Sequence, residues 1–293
     1  MAIDLNLLGL QLFTGLALGA LFILLAVGMS LIFGMLGIVN FAHGAFFMIG
    51  CYAAVFLNGL TENFWLCLTV APLLVGCIGL AVEYFLIRPL YGRGFDDPLL
   101  LTFGLAYVLI ELVRMAFGSD GIPFPTPHAL IGVVNIGVGY FPLYRLFVIA
   151  ATAMLLLALW LLIERTSFGL VIRAGARDPE ILRILGIDVG KVWLVIFALG
   201  TALSGLAGVL AAPMRGVSPD MGATVLVEAF VVTVIGGMGS LPGAILAGLL
   251  VGVVVSLTSL VAPEMATVSM FALMALVLLV RPRGLFGRAG FAS

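Results

Sequence analysis

Charge is what this 293-residue chain has least of. Asp, Glu, Lys and Arg make up 9% of it, and 63% is hydrophobic, with a mean hydropathy of +1.32. Ordinary soluble domains are about 25% charged and about 45–50% apolar, so a soluble globule is excluded. The 13 basic and 14 acidic side chains show no clustered positive excess, so nothing points to a nucleic-acid partner. Only two histidines occur, His43 and His128, and there is no HExxH, GxSxG, GxxxxGKS or GxxxxGKT pattern. Hydrolytic, metal and nucleotide chemistry therefore lack their parts, and this chain cannot hydrolyse ATP by itself. The three cysteines, Cys51, Cys67 and Cys77, stand in or beside apolar runs without CxxC spacing and read as small packing residues. The start, MAIDLNLLGLQLFTG, lacks the basic stretch and cleavage site of a secretory signal, and reads as a retained first span.

What the chain has is long apolar runs. They fall at 9–34, 41–58, 64–87, 98–117, 143–163, 192–213, 224–238, 243–262 and 266–280. About 20 apolar residues cross a hydrocarbon core as helix, and an open sheet edge in lipid would leave backbone groups unpaired. The expected architecture is all-α and polytopic, one transmembrane domain over 1–293 with about nine spans. The seventh run is short, and losing it would leave eight. Lys and Arg set the orientation. With the N-terminus outside, inner loops carry Arg88, Arg93, Arg165, Arg173, Arg177, Arg183, Lys191, Arg281, Arg283 and Arg288, and the other side only Arg114, Arg145 and Arg215. Ten against three favours an outer N-terminus and a cytoplasmic C-terminus.

Two loops differ from the rest. Residues 118–142 hold four prolines and no Lys or Arg, as in an ordered outer cap. Residues 164–191, ERTSFGLVIRAGARDPEILRILGIDVGK, form the longest polar stretch, on the inner face. A short helix is expected there, with Asp178 as N-cap, Pro179 in its first turn, Ile181, Leu182 and Leu185 as an apolar stripe, and Gly186 as its end. A faint repeat links LGIVNFAHGA at 36–45 with IGGMGSLPGA at 235–244. Paired glycine-interrupted apolar segments in the two halves of a chain point to a transport site.

Polar groups inside these runs carry the remaining information. Asn40 and His43 cost free energy in hydrocarbon unless partnered. Two readings stand: interhelical hydrogen bonds that hold the bundle, or a broken helix beside a solute pathway. Glu111 and Arg114, three apart on one helix, are spaced to pair. Glu83 is placed to anchor a helix end near Arg88. Glu228, just inside the outer loop, could face an entering solute or sit at the interface.

Several motifs in order resemble the permease subunits of ABC importers for branched-chain amino acids, of the LivH type. They are GMSLIFGMLGIVNFAHGAFFMIGCYAA at 28–54, EYFLIRPLYGR at 83–93, GLVIRAGARDPEILRILGIDVGKV at 169–192, SGLAGVLAAP at 204–213, VEAFVVTVIGGMGSLPGAILAGLLVGVV at 227–254 and RPRGLFG at 281–287. The resemblance implies a bacterial inner-membrane importer of alternating access. Its other members would be a second similar permease, two cytoplasmic ATPases that use ATP and Mg, and a periplasmic solute-binding protein. It implies no cofactor on this chain. By the same resemblance Asn40, Phe41, His43 and Gly44 form a first pathway signature, and Glu228, Gly236, Gly237, Gly239, Ser240, Gly243 and Ala244 a second. Arg173, Ala176, Arg177, Asp178, Leu185, Gly186 and Ile187 fall in the loop that docks on the ATPase. Arg177 and Pro179 depart from the acidic or small residues more usual there. Urea, amides and aromatic or other carboxylates are carried by permeases with similar motifs, and a passive small-solute channel remains the reading of another class.

Overall fold

The computed structural model describes residues 5–94, 96–176 and 178–287; Arg177 and Arg288 lie outside them. The apolar runs become helices because lipid offers the backbone no hydrogen-bonding partner. The order is α1 (Leu5–Leu36), α2 (His43–Thr61), α3 (Phe64–Val82), α4 (Asp96–Phe117), α5 (Leu143–Arg165), α6 (Ser167–Gly175), α7 (Pro179–Ile184), α8 (Val189–Arg215), α9 (Met221–Gly236), α10 (Leu241–Val261) and α11 (Ala266–Val280). Between α4 and α5 a small hairpin pairs β1 (Val133–Asn135) with β2 (Tyr140–Pro142). Eight helical stretches among the described residues are long and apolar enough to cross a membrane; α9, at 16 residues, is the short run.

Contacts sort the helix ends onto two faces. One, the hairpin face, joins Ile122 to Val217 in a β-bridge, Arg114 to Asp220 at 2.8 Å and Arg145 to Thr14 at 3.2 Å. The other, the basic face, gathers the ends of α1 and α5, helices α6 and α7, the α9–α10 turn and the tail after α11. Helix α9 starts beside the Asp220–Arg114 pair and ends where Gly239 meets Gly34 of α1. Helix α9 thus runs toward the basic face without the length of the other eight spans among the described residues. The described basic residues divide as the charge pattern predicts: Arg88, Arg93, Arg165, Arg173, Arg183, Lys191, Arg281 and Arg283 on one face, Arg114, Arg145 and Arg215 toward the other.

Helix α1 is the axis of the bundle, packed along α10, α8, α5 and α9. Its most extensive packing is along α10, where Gly15 and Gly19 face Gly248 and Gly252. A Cβ on Gly19 would lie 2.9 Å from the Gly248 carbonyl oxygen, so the two backbones touch. Small residues four apart on both helices permit this, and dispersion and shape rather than hydrophobicity then hold the pair in lipid. Of the cysteines, Cys51 and Cys67 are buried and Cys77 is exposed, all as free thiols.

Candidate functional site

The first glycine-rich break is residues 37–42, between α1 and α2. The chain leaves α1 at Leu36 and returns into the bundle before helix resumes. The His43 ring Nε2 lies 3.0 Å from the Leu25 carbonyl, about 30 Å of helix from Leu5 and about 16 Å before Leu36. A carbonyl only accepts, so Nε2 carries the proton and donates. The His43 carbonyl accepts from Ser204 Oγ at 2.8 Å, which ties α1, α2 and α8 together at mid-depth. Asn40 Oδ1 accepts from the Ala42 N–H at 3.0 Å, and Thr102 Oγ1 of α4 accepts from the Phe41 N–H at 3.2 Å. Asn40 and His43 are fully buried. Each keeps one atom without a hydrogen-bond partner, Asn40 Nδ2 and His43 Nδ1. A Cβ on Gly44 would fall on the Gly222 carbonyl oxygen, so α2 and α9 begin against each other.

The second break is Gly237–Ser240, with Gly237 and Gly239 at φ 95° and 79°. Ser240 caps α10 by accepting from the Gly243 N–H at 3.2 Å. The carbonyls of Ile235 and Gly236 at the end of α9 accept from Leu285 and Phe286 N–H groups at 2.8 and 3.0 Å. The tail motif RPRGLFG thus caps α9, satisfying carbonyls that a helix end leaves unpaired. Nothing in the sequence reading gave the tail this role; a glycine-containing motif just after the last span was the available signal. The break packs on Gly34, so the two repeated segments share one region of the basic face, while Asn40 and His43 stand deeper.

Two carboxylates take partners that the sequence did not name. Glu228 accepts from Arg215 at 2.8 Å, an ion pair at the end of α8, with the Arg215 guanidinium also over the Phe22 ring. Glu83 is fully buried and accepts from the Tyr91 hydroxyl at 2.5 Å; its anchor is Tyr91 rather than Arg88. Here α3 widens into a π-turn over Glu83–Ile87, which tilts the carboxyl inward. Glu111 pairs with Arg114 as the spacing predicts, and Arg114 also reaches Asp220.

The polar loop 164–191 holds two helices where one was expected. Thr166 caps α6 through the Gly169 N–H at 3.0 Å, and Asp178 caps α7 through the N–H groups of Glu180 and Ile181 at 2.9 and 3.3 Å. Helix α7 ends in a closed turn: Ile187 N–H donates to the Leu182 carbonyl and Gly186 N–H to that of Arg183. That pattern needs a left-handed residue just past the helix, which Gly186 supplies at φ 77°. Asp188 caps α8; the Lys191 N–H, then its ammonium, hold the Asp188 carboxyl below its ordinary range. Arg173 fastens the unit to the body, donating to the Ile163 carbonyl and to Glu164. The expected stripe splits. Leu182 is buried against Gly175, whereas Ile181, Ile184 and Leu185 are exposed, Ile184 by 83%. Ala176 lines a cavity of about 650 Å³ between this unit, α1 and the second break. Arg177 lies outside the described residues.

The result is a compact basic knob, rigidly capped, with an apolar tip facing solvent. Among the described residues no group of three or more potential metal ligands occurs.

Known proteins are similar to this chain. A family model described as "Branched-chain amino acid transport system / permease component" matches residues 11–280. The high-affinity branched-chain amino acid transport system permease protein LivH of Escherichia coli K12 is 32% identical, over 95% of both chains. Its counterpart BraD of Pseudomonas aeruginosa is 30% identical, again over 95% of both. Among solved structures, PsaBC from Streptococcus pneumoniae in complex with Fab has a TM-score of 0.51 at 16% identity, covering 94% of this chain and 91% of that one, a likeness of fold. With its polytopic helical fold, its two glycine breaks and its capped basic knob, this chain belongs to the family of branched-chain amino acid transport permease components.

Proposed function

We propose that this chain is one permease subunit of an ATP-driven importer for branched-chain or related aliphatic amino acids. It works as one transmembrane domain in a bacterial inner membrane, with its N-terminus outside and its C-terminus in the cytoplasm. Eight described basic side chains against three support placing the basic face inside. A second homologous permease completes the pathway, a periplasmic solute-binding protein delivers solute, and two cytoplasmic ATPases use ATP and Mg. The chain itself is non-catalytic and binds no cofactor.

The observation that carries this reading is the α6–α7 knob. Three exposed apolar side chains on a short, twice-capped helix are costly in water unless a partner covers them. The caps at Asp178 and Gly186 make the knob stiff enough to pass on a push. Arg173 ties it to α5, and Leu182 seats it on α6. ATP binding by the partners would move the knob and shift the two permeases against each other. The Gly44–Gly222 and Gly34–Gly239 contacts lie where that shift is felt. Asn40, Phe41, His43, Glu228 and Gly236–Gly243 then flank the pathway, and the orphan Nδ1 of His43 and Nδ2 of Asn40 are the groups free to meet solute or water in another state.

The test is uptake of labelled leucine by the reconstituted importer. Leu185→Asp and Ile184→Asp should abolish ATP-driven uptake and uncouple hydrolysis from the loaded binding protein, with the thermal transition of the permease unchanged. Uptake that survives both substitutions, or solute flux without ATP, would sink the reading in favour of a passive channel.

A further inference from the structure

Helix α5 carries an arginine at each end, and only one of the two has a partner in the chain. Arg145, at the hairpin face, donates to Thr14 Oγ1 at 3.2 Å, and Arg114 and Arg215 on that side each have a carboxylate. Arg165, at the basic face, is exposed, and among the described residues its guanidinium makes no ion pair and no hydrogen bond. It stands over the Trp160 ring, 5.7 Å from the centroid. Glu164 beside it is taken by Arg173 at 3.0 Å, so this corner of the molecule keeps an uncompensated positive charge.

Helix length fixes where that charge lies. Residues 146–163 contain no charged side chain, and from Arg145 to Arg165 is about 30 Å of helix, the thickness of a hydrocarbon core at about 30 Å. Arg165 therefore stands at the phosphate level of one leaflet. Trp160 lies about one and a half turns deeper, in the zone of the aromatic belt. Met154, Leu157 and Leu161 are exposed on the same face of α5 as Arg165, at helical steps of three and four residues. From Met154 to Arg165 is about 16 Å, close to the depth of a single leaflet, about 15 Å. The stripe has the length and chemistry of one acyl chain, and a cation at its end.

We propose that this face of α5 holds one anionic phospholipid of the leaflet at the basic face, with its phosphate on Arg165 and an acyl chain along Leu161, Leu157 and Met154. A guanidinium over an indole keeps its N–H groups in its own plane, where they bind phosphate oxygens in pairs. A zwitterionic headgroup brings an ammonium that no unpaired carboxylate at this corner balances, whereas an anionic one brings none. A free phosphate would leave the stripe uncovered. The inference goes beyond the transport reading and does not depend on which solute is carried.

The experiment reconstitutes the full-length permease in phosphatidylcholine vesicles, with rising fractions of the lipid replaced by brominated phosphatidylglycerol or, in parallel, by brominated phosphatidylcholine. Tryptophan quenching that is absent from Trp160→Phe reports the lipid at this position. Phosphatidylglycerol should be preferred there about fivefold, the gain of one basic side chain at an anionic surface. Arg165→Gln should bring the preference to about one with the thermal transition unchanged, and Arg145→Gln, at the partnered end, should leave it intact. Equal quenching by the two lipids in the wild type, or a preference that survives Arg165→Gln, overturns the site. Displacement by soluble glycerol 3-phosphate would show a site for free phosphate and overturns it as well. The same measurement in the complete importer completes the test. A preference kept on assembly supports the site, whereas Trp160 quenching that vanishes gives the stripe to the second permease and overturns it. Neither result touches the proposed function, which the knob variants test by uptake.

Discussion

Helices α1 and α5 are both long and uniformly apolar, yet they occupy opposite environments. The best membrane-crossing window of α1 is 89% buried within the chain and that of α5 only 17%. Hydropathy alone places both in a membrane and says nothing of which one is central. Side-chain size makes the distinction: α1 contains five glycines and α5 none. In lipid, an apolar side chain gains little by moving from hydrocarbon to protein, so the centre goes to the helix whose backbone others can approach. Helix α5 instead turns Met154, Leu157 and Trp160 outward.

The sharpest way to break this contrast is to put bulk where α1 meets α10. A Cβ on Gly252 would lie 2.5 Å from the Gly15 carbonyl oxygen and from Gly19 Cα, backbone atoms that cannot turn aside. Gly252→Val should cost about 3 kcal/mol or more and abolish monodisperse protein in detergent, read by size-exclusion chromatography and thermal unfolding. A variant that stays folded with an unchanged transition would show that the two helices do not pack through their backbones.

The next effect belongs to the hairpin face. Arg215 and Glu228 are part-buried, Glu228 on α9 and Arg215 at the end of α8 over the Phe22 ring of α1. Glu228→Ala leaves a guanidinium without its anion and should cost about 1–3 kcal/mol, a hydrogen bond to a charged group. The double variant Arg215→Met with Glu228→Ala should recover part of that loss. A loss of uptake that the double variant does not restore, in protein of recovered stability, would give Glu228 a part in the pathway beyond its ion pair.

These residues also mark how far the sequence could be read. The helices, the two faces and the cap at Asp178 follow from apolar run length, basic residues and local capping rules, and all are present in the fold. The Glu111–Arg114 pair follows from spacing on one helix. What escaped are contacts between one element and another. Arg215 and Glu228 lie across a loop, Glu83 meets Tyr91 only because α3 widens into a π-turn, and the tail reaches α9 from the far end of the last helix. No periodicity encodes those meetings. The first helix of the polar loop, α6, was missed because Gly169 stands in its first turn and the Thr166 cap has no Glu or Gln three residues on.

A smaller effect is expected at the knob, which meets α1 near Met35. Asp178→Ala removes the acceptor for two N–H groups and should cost about 1 kcal/mol of local helix stability. Asp178→Asn keeps the acceptor and should be close to neutral. Hydrogen exchange of the Glu180 and Ile181 amides reads the difference, and equal protection in both variants would mean that Asp178 matters for docking rather than for capping.

The smallest effect sharpens the comparison from its other side. Leu157 on α5 is 56% exposed, as it would be facing lipid, and Leu157→Ala removes no backbone contact and opens no enclosed cavity. In the isolated permease its thermal transition should match the wild type within about 0.5 kcal/mol, the range of surface substitutions. The same variant measured in the assembled importer asks a separate question. If the complex also is unaffected, α5 faces lipid there too, and its lack of glycine fits a helix that no neighbour approaches. If only the complex loosens, this face of α5 is covered by the second permease, and side-chain interlocking rather than backbone contact joins the two subunits. A marked loss in the isolated chain would contradict the outward position of α5, and with it the rule that glycine content, not hydropathy, decides which span of this bundle is central.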